Sequence, residues 1–463
     1  MGELDAFVAV IAREWERPLP ERVRRAAERS LLNIVGVIAG AERTPGVQRL
    51  ASYVRVADGE AGAATAPLGI TDLVPGRASV RDAALVSGFA GHYDDFDDTH
   101  LGTVIHPSAA CFGAAWAIGW SGEVTGDDLL RAFAIGCEAQ LRLGEAVCPE
   151  HYDRGWHITG TCGVVGATVT AALLRGLRGQ TLAASIAIAC VRTLGHREGF
   201  GSETKPLHAG LAAAAGVEIT DEAPGFAERH ADWRMGADPL ALLLEAFAPG
   251  AADHGLLARE WGVDTPWELE YNAFKPYPCG IVAHPGIDAG VAVGEQLVGA
   301  GVSTKSIRVV RYRAHPLVEE LMGRVDPETS LEARFSARHG VAVGLRHRAA
   351  GIAEFEETVA VDDEIRRIRF ATEVITDASL RRDEAEVSVE LEDGTVLRHH
   401  IAHARGSAAR PLTDDEVRAK AAVLLGFART PGIRAVESTV TALHGSDNHP
   451  WRSLGLDAEE VAR

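Results

Sequence analysis

The distribution of strand-like segments is the sequence feature that most limits the fold. Up to about residue 262 the apolar residues recur at helical spacing, and no segment alternates convincingly like a strand. Alternation begins near 267–271 and returns at 306–313 and at 384–400, where Asp393-Gly394 is typical of a hairpin turn. We therefore predict a mainly α protein with a large all-helical domain over 1–264, a smaller α+β domain over 265–405 and a helical tail over 406–463 that returns to the first domain.

Apolar periodicity and capping residues predict the individual helices. In the first domain they are expected at 4–15, 20–40, 46–57, 78–91, 107–118, 127–146, 162–174, 181–193 and 206–216. In the rest of the chain they are expected at 285–299, 330–349, 413–428 and 432–441.

Composition excludes several classes of function. The net charge of −19 argues against nucleic acid or an anionic membrane surface as a partner. No apolar run reaches the ~18 residues of a membrane span, and the start of the chain lacks a basic n-region. The six cysteines form no Cys-x-x-Cys pair, which argues against a zinc ribbon or a thioredoxin-like site. We expect a cytoplasmic protein with reduced thiols.

One short segment concentrates the polar groups of the first domain. Residues 92–107, which we call the polar corner, carry four carboxylates, three histidines and two threonines between two apolar helices. A corner between core helices would hold these groups in fixed positions. The polar corner is therefore the first candidate for a functional site.

The lysines form a second signal because they are scarce. Lys205, Lys275, Lys305 and Lys420 stand against 42 arginines. Lys305 and Lys420 lie in polar surroundings and are expected to be solvated surface charges. Lys205 and Lys275 each precede a proline in a glycine-rich, apolar stretch, and lysine is preferred to arginine where a compact or tunable cation is needed.

Basic residues stand directly before proline at several polar sites. His106, Lys205 and His284 each precede a proline that can occupy the first position of a helix, and Lys275 precedes one in a loop. A basic group there adds its charge to the positive end of the helix. Several such helix ends around one cleft would form an anion pocket, although proline is also a common helix start with no such role.

Five motifs in this order resemble the MmgE/PrpD family. They are Asp95-Phe-Asp-Asp-Thr99, His106-Pro-Ser108, Gly155-Trp-His157, Thr204-Lys-Pro-Leu-His-Ala-Gly210 and Phe274-Lys-Pro-Tyr-Pro-Cys279. The resemblance covers nearly the whole chain. It implies a large helical domain, a smaller α+β lid domain, a homodimer, and chemistry on a small polycarboxylate without a metal or an organic cofactor.

The resemblance also implies which residues form the site. The expected catalytic residues are Asp95, His106, His157, Lys205 and Lys275. The expected substrate-binding residues are Thr99, Ser108, Thr204, His208, Tyr277 and His284. No metal ligand is expected, and His92, Asp97, Asp98 and His100 are expected in supporting or capping roles.

The chemistry of these residue types agrees with the reactions of the family. Dehydration, decarboxylation and epimerisation of polycarboxylates pass through a carbanion-like centre beside a carboxylate. The lysines would pair with carboxylates and stabilise the developing charge, whereas the histidines would move protons at neutral pH. Asp95 would orient a histidine or accept a substrate hydroxyl.

The sequence does not choose among these reactions. We expect a lyase that dehydrates a 2-methylcitrate-like hydroxy acid or decarboxylates a cis-aconitate-like acid, and the alternative is an epimerase of an iminodisuccinate-like dicarboxylate. Three differences from the family's decarboxylases weaken decarboxylation. The segment between Thr99 and His106 is one residue longer, Gly280 stands where they have a histidine, and Leu321-Met322 stands near their pocket tyrosine.

Two functions of other classes remain as alternatives. Asp94-Asp-Phe-Asp-Asp98 fits the Asp-Asp-x-x-Asp pattern with which isoprenoid synthases hold magnesium diphosphate. A second acidic motif at the required spacing is absent from the sequence, and aromatic residues are only 6% of it. A non-enzymatic scaffold would leave five polar clusters in apolar surroundings without a purpose.

Overall fold

A computed structural model of the protein describes residues 2–56, 65–121, 124–193, 195–229, 237–262, 264–429, 431–443 and Trp451. Residue 57 of the predicted third helix lies outside the described residues, as do 444–450 and 452–463 of the predicted tail. No helix in the described ranges is both long and apolar enough to cross a membrane.

Helices make up most of the described chain, which confirms the predicted mainly α fold with a smaller α+β part. Eleven helices precede residue 250 in the described ranges: α1 Glu3–Glu16, α2 Glu21–Ala41, α3 Pro45–Val54, α4 Val80–Tyr93, α5 Pro107–Ser121, α6 Gly126–Val147, α7 Glu150–Asp153, α8 Ile158–Leu174, α9 Gly179–Val191, α10 Thr204–Arg229 and α11 Pro239–Phe247. Eight follow: α12 His284–Gly299, α13 Leu317–Met322, α14 Ser330–Ala333, α15 Ala337–His347, α16 Glu357–Ala360, α17 Asp363–Phe370, α18 Asp414–Leu425 and α19 Ile433–Ala442.

The strands form one four-stranded sheet and two small pairs among the described residues. The strands are β1 Thr65–Pro67, β2 Arg77–Ser79, β3 Thr99–His100, β4 Asn272–Ala273, β5 Ile307–Ala314, β6 Thr372–Thr376, β7 Ala385–Leu391 and β8 Val396–Ile401. The large sheet has the order β6-β5-β7-β8, in which only the β5–β6 pair is parallel. β1 pairs with β2, and β3 pairs with β4.

Two large hydrophobic cores lie under these elements. The first, which we call the helical core, takes its buried residues from Leu4 through Leu269 and is joined by Leu425, Val436, Val440, Leu443 and Trp451 of the tail. The second, which we call the α+β core, runs from Tyr277 to Ile401 and joins α12 and α15 to the inner face of the sheet. The predicted domain limits at 264 and 405 stay predictions.

The structure corrects four details of the predicted elements. Three short strands, β1, β2 and β3, lie before residue 262, where none was expected. The alternating segment 267–271 is mainly a 3₁₀ turn that leads into β4, and the helix expected over 330–349 is split into α14 and α15. Finally, α10 extends well beyond 216 to Arg229. The predicted hairpin is present as β7 and β8, with Gly394 at a φ of 84° in its turn.

Glycine allows the central helices of the helical core to approach each other closely. A Cβ on Gly210 of α10 would lie 2.6 Å from the carbonyl oxygen of Leu85 and 3.1 Å from the Cβ of Phe89, both on α4. A Cβ on Gly88 of α4 would lie 2.9 Å from the carbonyl oxygen of Ala209. The close packing of α4 against α10 fixes the end of the helix that leads into the polar corner.

We expect Gly210→Ala to destabilise the protein by about 1–3 kcal/mol, because the added methyl group forces two packed helices apart. The measurement is the free energy of unfolding in denaturant. Gly299→Ala is the control, because nothing lies within 4 Å of a Cβ at that position at the end of α12. It is expected to be neutral or to stabilise by up to ~1 kcal/mol. Equal unfolding free energies for the two variants would contradict the close packing.

Candidate active site

The polar corner is held between α4 and α5 and is crossed by a distant part of the chain. α4 ends at Tyr93, and Asp95 follows in a left-handed backbone conformation with a φ of 49°. β3 then pairs with β4, so that Thr99 lies opposite Ala273 and His100 opposite Asn272. This pairing brings Lys275, two residues after β4, to the corner.

Asp95 is the centre of a buried ionic cluster. Its Oδ1 accepts a hydrogen bond from Lys205 Nζ at 2.7 Å and lies 3.0 Å from Lys275 Nζ. Lys275 Nζ also donates to the carbonyl oxygen of Asp95 at 3.0 Å, and all three residues are at least 96% buried. Burial acts to raise the pKa of Asp95, but Lys205 and Lys275 outweigh it and hold that pKa well below its usual range. Asp95 is therefore ionised and shared by two lysines.

Asp97 organises two histidines behind this cluster. Its Oδ2 lies 2.9 Å from His92 Nδ1, and its Oδ1 lies 3.0 Å from His106 Nδ1. Burial acts to raise the pKa of Asp97, but His106 and His92 hold it well below its usual range, so this carboxylate is ionised. The hydrogen bond to this carboxylate assigns the ring proton of His92 to Nδ1, whereas His106 Nδ1 also lies 3.3 Å from Thr99 Oγ1. His92 Nε2 then accepts a hydrogen bond from Lys205 Nζ at 2.9 Å.

His106 and His157 are neutral histidines in the same site. Burial lowers the pKa of His106 to about 3, although Asp97 acts in the opposite direction. The pKa of His157 is also well below its usual value, because His157 is buried and lies near Lys205 and His92. His157 Nδ1 lies 2.9 Å from His208 Nδ1, which fixes the orientation of its ring. Each neutral imidazole has one ring nitrogen that can accept a proton.

These side chains line a small cavity of about 60 Å³. Its polar wall consists of Asp95, Thr99, His106, Tyr152, His157, Lys205 and Lys275, and its apolar wall consists of Val104, Phe200, Gly280, Ile281, Val282, Leu321, Met322 and Phe335. Small-molecule sites are usually ~300–1,000 Å³. A substrate can therefore enter only if one wall moves.

A buried ion pair joins the polar corner to the α+β core. Arg334 donates to Oδ1 of Asp94 at 2.8 Å and to its carbonyl oxygen at 3.1 Å, and both side chains are at most 2% exposed. Asp94 also pairs at 2.9 Å with Arg43, which follows α2. The residue before Asp95 therefore connects the segment that carries Phe335 to the polar wall.

Asp98 and Lys420 support the corner from the opposite side. Asp98 Oδ2 accepts hydrogen bonds from Ser108 Oγ at 2.6 Å and from Asn272 Nδ2 at 2.9 Å. Burial raises the pKa of Asp98 to about 7 despite the Ser108 hydrogen bond. Lys420 Nζ donates to the carbonyl oxygen of Phe96 at 2.6 Å and lies 3.8 Å from the centre of its ring, and burial lowers its pKa to about 7.

Comparison with known proteins identifies the family. The MmgE/PrpD N-terminal domain model matches residues 7–224, and the MmgE/PrpD C-terminal domain model matches residues 277–438. The chain belongs to the MmgE/PrpD family. It is 27% identical to cis-aconitate decarboxylase of Homo sapiens over 364 residues, which cover 73% of this chain and 71% of that protein. It is 26% identical to cis-aconitate decarboxylase of Mus musculus over 359 residues, which cover 73% and 70%.

This MmgE/PrpD protein brings six of the predicted site residues to one cavity. Asp95, Thr99, His106, His157, Lys205 and Lys275 all line it. His208 lies behind His157. The family assignment inferred from the five motifs is confirmed.

The other four predicted substrate-binding residues lie outside the cavity lining. Ser108 bonds to Asp98, and exposed Thr204 donates to the carbonyl oxygen of Gly199 at 3.2 Å. Tyr277 donates to Asp288 at 2.5 Å, and His284 Nε2 lies 3.3 Å from the carbonyl oxygen of Cys279. Each is engaged with protein groups, so contact between these residues and substrate stays a prediction.

The expectation that basic residues directly before proline face one cleft is correct for some of these residues. His106 immediately precedes α5 and Lys205 lies in the first turn of α10, and both face the cavity. His284 begins α12 but lines a neighbouring cleft instead. The expectation for Lys420 is wrong, because this lysine is bound to Phe96 rather than solvated, whereas Lys305 is exposed as expected.

Sequence reasoning gave too little weight to His92. This histidine connects Asp97 to Lys205, and its ring lies 4.5 Å from the His106 ring between centroids. The sequence did offer one indication of its role, because His92 lies in the polar corner. Phe200 and Phe335, whose rings lie 5.4 and 5.6 Å from Lys205 Nζ, had no signal in the sequence.

The acidic motif of the corner does not form a magnesium site of the isoprenoid-synthase kind. Its carboxylates point to different partners: Asp94 to two arginines, Asp95 to two lysines, Asp97 to two histidines and Asp98 to Ser108 and Asn272. One ligand atom each from His92, Asp95, Asp97 and His106 lie within 4.8 Å of one another, as a metal site would require. A cation placed there would meet the ammonium groups of both lysines, which disfavours it.

We expect the stability of the protein to depend on pH through Asp98. The folded-state pKa of about 7 exceeds the ordinary value of 3.8, so the folded protein holds this proton more tightly than the unfolded chain. Stability is then lost as pH rises from about 4 to about 7, by up to roughly 4 kcal/mol. Asp98→Asn keeps an acceptor for Ser108 and removes this loss. The melting temperature of Asp98→Asn minus that of wild type should therefore increase as the pH is raised from 5 to 8.

The control for this prediction is Asp264→Asn, which changes an exposed carboxylate. Its melting temperature should follow that of wild type at every pH. A wild-type profile parallel to that of Asp98→Asn would show that Asp98 is ionised throughout this range.

Proposed function

We propose that this protein is a lyase that breaks a carbon–oxygen or carbon–carbon bond in a small di- or tricarboxylate, without a metal or an organic cofactor. The observation that carries the proposal is the pair of buried lysines that share one carboxylate beside two neutral histidines. The lyase relatives support the same class of reaction.

The lysines supply the anion site. Lys205 and Lys275 both approach Oδ1 of Asp95, so two ammonium groups have a single carboxylate oxygen between them. Each lysine ammonium has three N–H donors, and a single oxygen of Asp95 cannot accept from all of them. A substrate carboxylate that enters this cluster can accept the remaining hydrogen bonds. Negative charge that develops next to that carboxylate is then stabilised in a water-poor site, by about 3 kcal/mol for each positioned donor.

The histidines supply the proton transfers. The ionised Asp97 lies 3.0 Å from Nδ1 of His106 and favours a proton on that nitrogen, so Nε2 of His106 can take a proton from the carbon next to the bound carboxylate. The electron pair left on that carbon forms the double bond as the hydroxyl group on the neighbouring carbon departs. His157 takes up a proton from solvent when the substrate anion binds beside it and passes that proton to the leaving oxygen. The proton held by His106 returns to solvent, and the products are an unsaturated acid and water.

Dehydration is favoured over decarboxylation by the apolar wall. Gly280, Leu321 and Met322 line the cavity at the places where the resemblance puts a histidine and a tyrosine in the decarboxylases. The relatives favour decarboxylation as the second candidate, in which carbon dioxide loss forms the carbanion and a protonated histidine quenches it. Epimerisation would use the same groups to remove and return one proton. A homodimer and a cytoplasmic location belong to the same proposal, by analogy with the family.

A substrate panel tests the proposed reaction class. Dialysed enzyme is assayed with a chelator on citrate, 2-methylcitrate, citramalate, cis-aconitate and iminodisuccinate, with products followed by proton NMR. We expect turnover of at least one acid by water loss, unaffected by the chelator. Activity that disappears with the chelator and returns with magnesium or iron would overturn the proposal.

We expect His106→Ala and His157→Ala each to lower kcat by ~10² or more, because each loses a positioned proton donor or acceptor. Circular dichroism should show an unchanged fold. His399→Ala on strand β8 is the matched control and should keep normal kcat. Near-normal kcat in both cavity variants would mean that these histidines are core residues without a part in the reaction.

A further inference from the structure

The polar wall of the cavity and most of its apolar wall come from different parts of the chain; Val104 and Phe200 are the exceptions. Every charged or imidazole group that lines it belongs to residues 95–205 or is Lys275. After residue 275 the lining residues are apolar: Gly280, Ile281, Val282, Leu321, Met322 and Phe335. A bound molecule would therefore meet cations on one side and hydrocarbon on the other.

The centre of the apolar wall has no space for a side chain that could donate a hydrogen bond to a ligand. Met322 is 1% exposed, and its sulfur fills the space that a Cβ on Gly280 would occupy. The Gly280 N–H is directed to the carbonyl oxygen of Arg334 at 3.3 Å. A carboxylate against this wall would lose its water without gaining a hydrogen bond from these groups, whereas an alkyl group would be accepted.

Leu321 controls the size of this wall. It lines the 60 Å³ cavity and also the two larger clefts beside it, of about 490 and 770 Å³. It is half-buried, in contrast to Met322. The side chain of Leu321 thus separates the cavity from open space, and a longer polar side chain here could reach a ligand.

We propose that the substrate is a small dicarboxylate whose two carboxylates face the lysine side and whose opposite end is a hydrogen or a short alkyl group, with Leu321 and Met322 as the residues that exclude a third carboxylate. This inference rests on the proposed function and narrows its substrate class.

Two unreactive acids that differ at one end test the proposal. Tricarballylate becomes methylsuccinate when one carboxymethyl group is replaced by methyl, so the pair isolates the third carboxylate. Their Kd values for wild type are measured by isothermal titration calorimetry. We expect methylsuccinate to bind at least ten-fold more tightly, although it carries less charge.

Variants of helix α13 test whether Leu321 causes the preference for methylsuccinate over tricarballylate. Leu321→Arg should reverse the preference, because it places a cation on the apolar wall. Leu317→Arg on the same helix is the control, since Leu317 lines only the adjoining 490 Å³ cleft among the described cavities, and the wild-type ratio should persist.

Each other outcome is decisive. Equal or tighter binding of tricarballylate to wild type would overturn the dicarboxylate proposal and leave the lyase proposal standing. An unchanged ratio in Leu321→Arg would overturn the role of Leu321. Binding of neither acid to wild type would overturn the lyase proposal and this inference together.

Discussion

The structure depends on the pairing of Asp95 with Lys205 and Lys275. Three charged groups are removed from water here, and such burial is tolerable only when the charges satisfy one another. Asp95 belongs to the polar corner, Lys205 to the first turn of α10, and Lys275 to the segment that follows β4. The pairing therefore fixes three distant parts of the chain in one place, and substitution of one partner would leave the others buried and unpaired.

The same corner connects the site to the α+β core. Asp94 binds Arg334, and the next residue along, Phe335, forms part of the apolar wall. Most of the polar wall lies at the ends of helices α4, α5, α8 and α10, whereas the apolar lining residues after Lys275 lie on or near α13. A cavity of about 60 Å³ must enlarge before it can hold a substrate, and the apolar residues after Lys275 take no part in the ion pairs of Asp95. Closure around a substrate would then exclude water from a carbanion-like centre.

Sequence periodicity predicted most of the fold because long helices and the β7–β8 hairpin carry repeated signals. Strands of two or three residues, such as β1 and β3, are too short to show any alternation, and they form because distant segments meet them. The lysines at 205 and 275 were found by their scarcity. Lys420 was misjudged because its polar sequence neighbours do not show that Phe96 covers it in the fold. His92 was undervalued because its role depends on Lys205, which lies 113 residues away.

The most direct test of this account is a crystal structure with methylsuccinate bound. The account predicts a ligand carboxylate within about 3 Å of Nζ of Lys205 or Lys275, as in a charge-assisted hydrogen bond, with the methyl group against Leu321 and Met322. The contradicting result is methylsuccinate in the outer cleft lined by Arg197 and Arg324, with Asp95 still holding both lysines and the inner cavity unchanged.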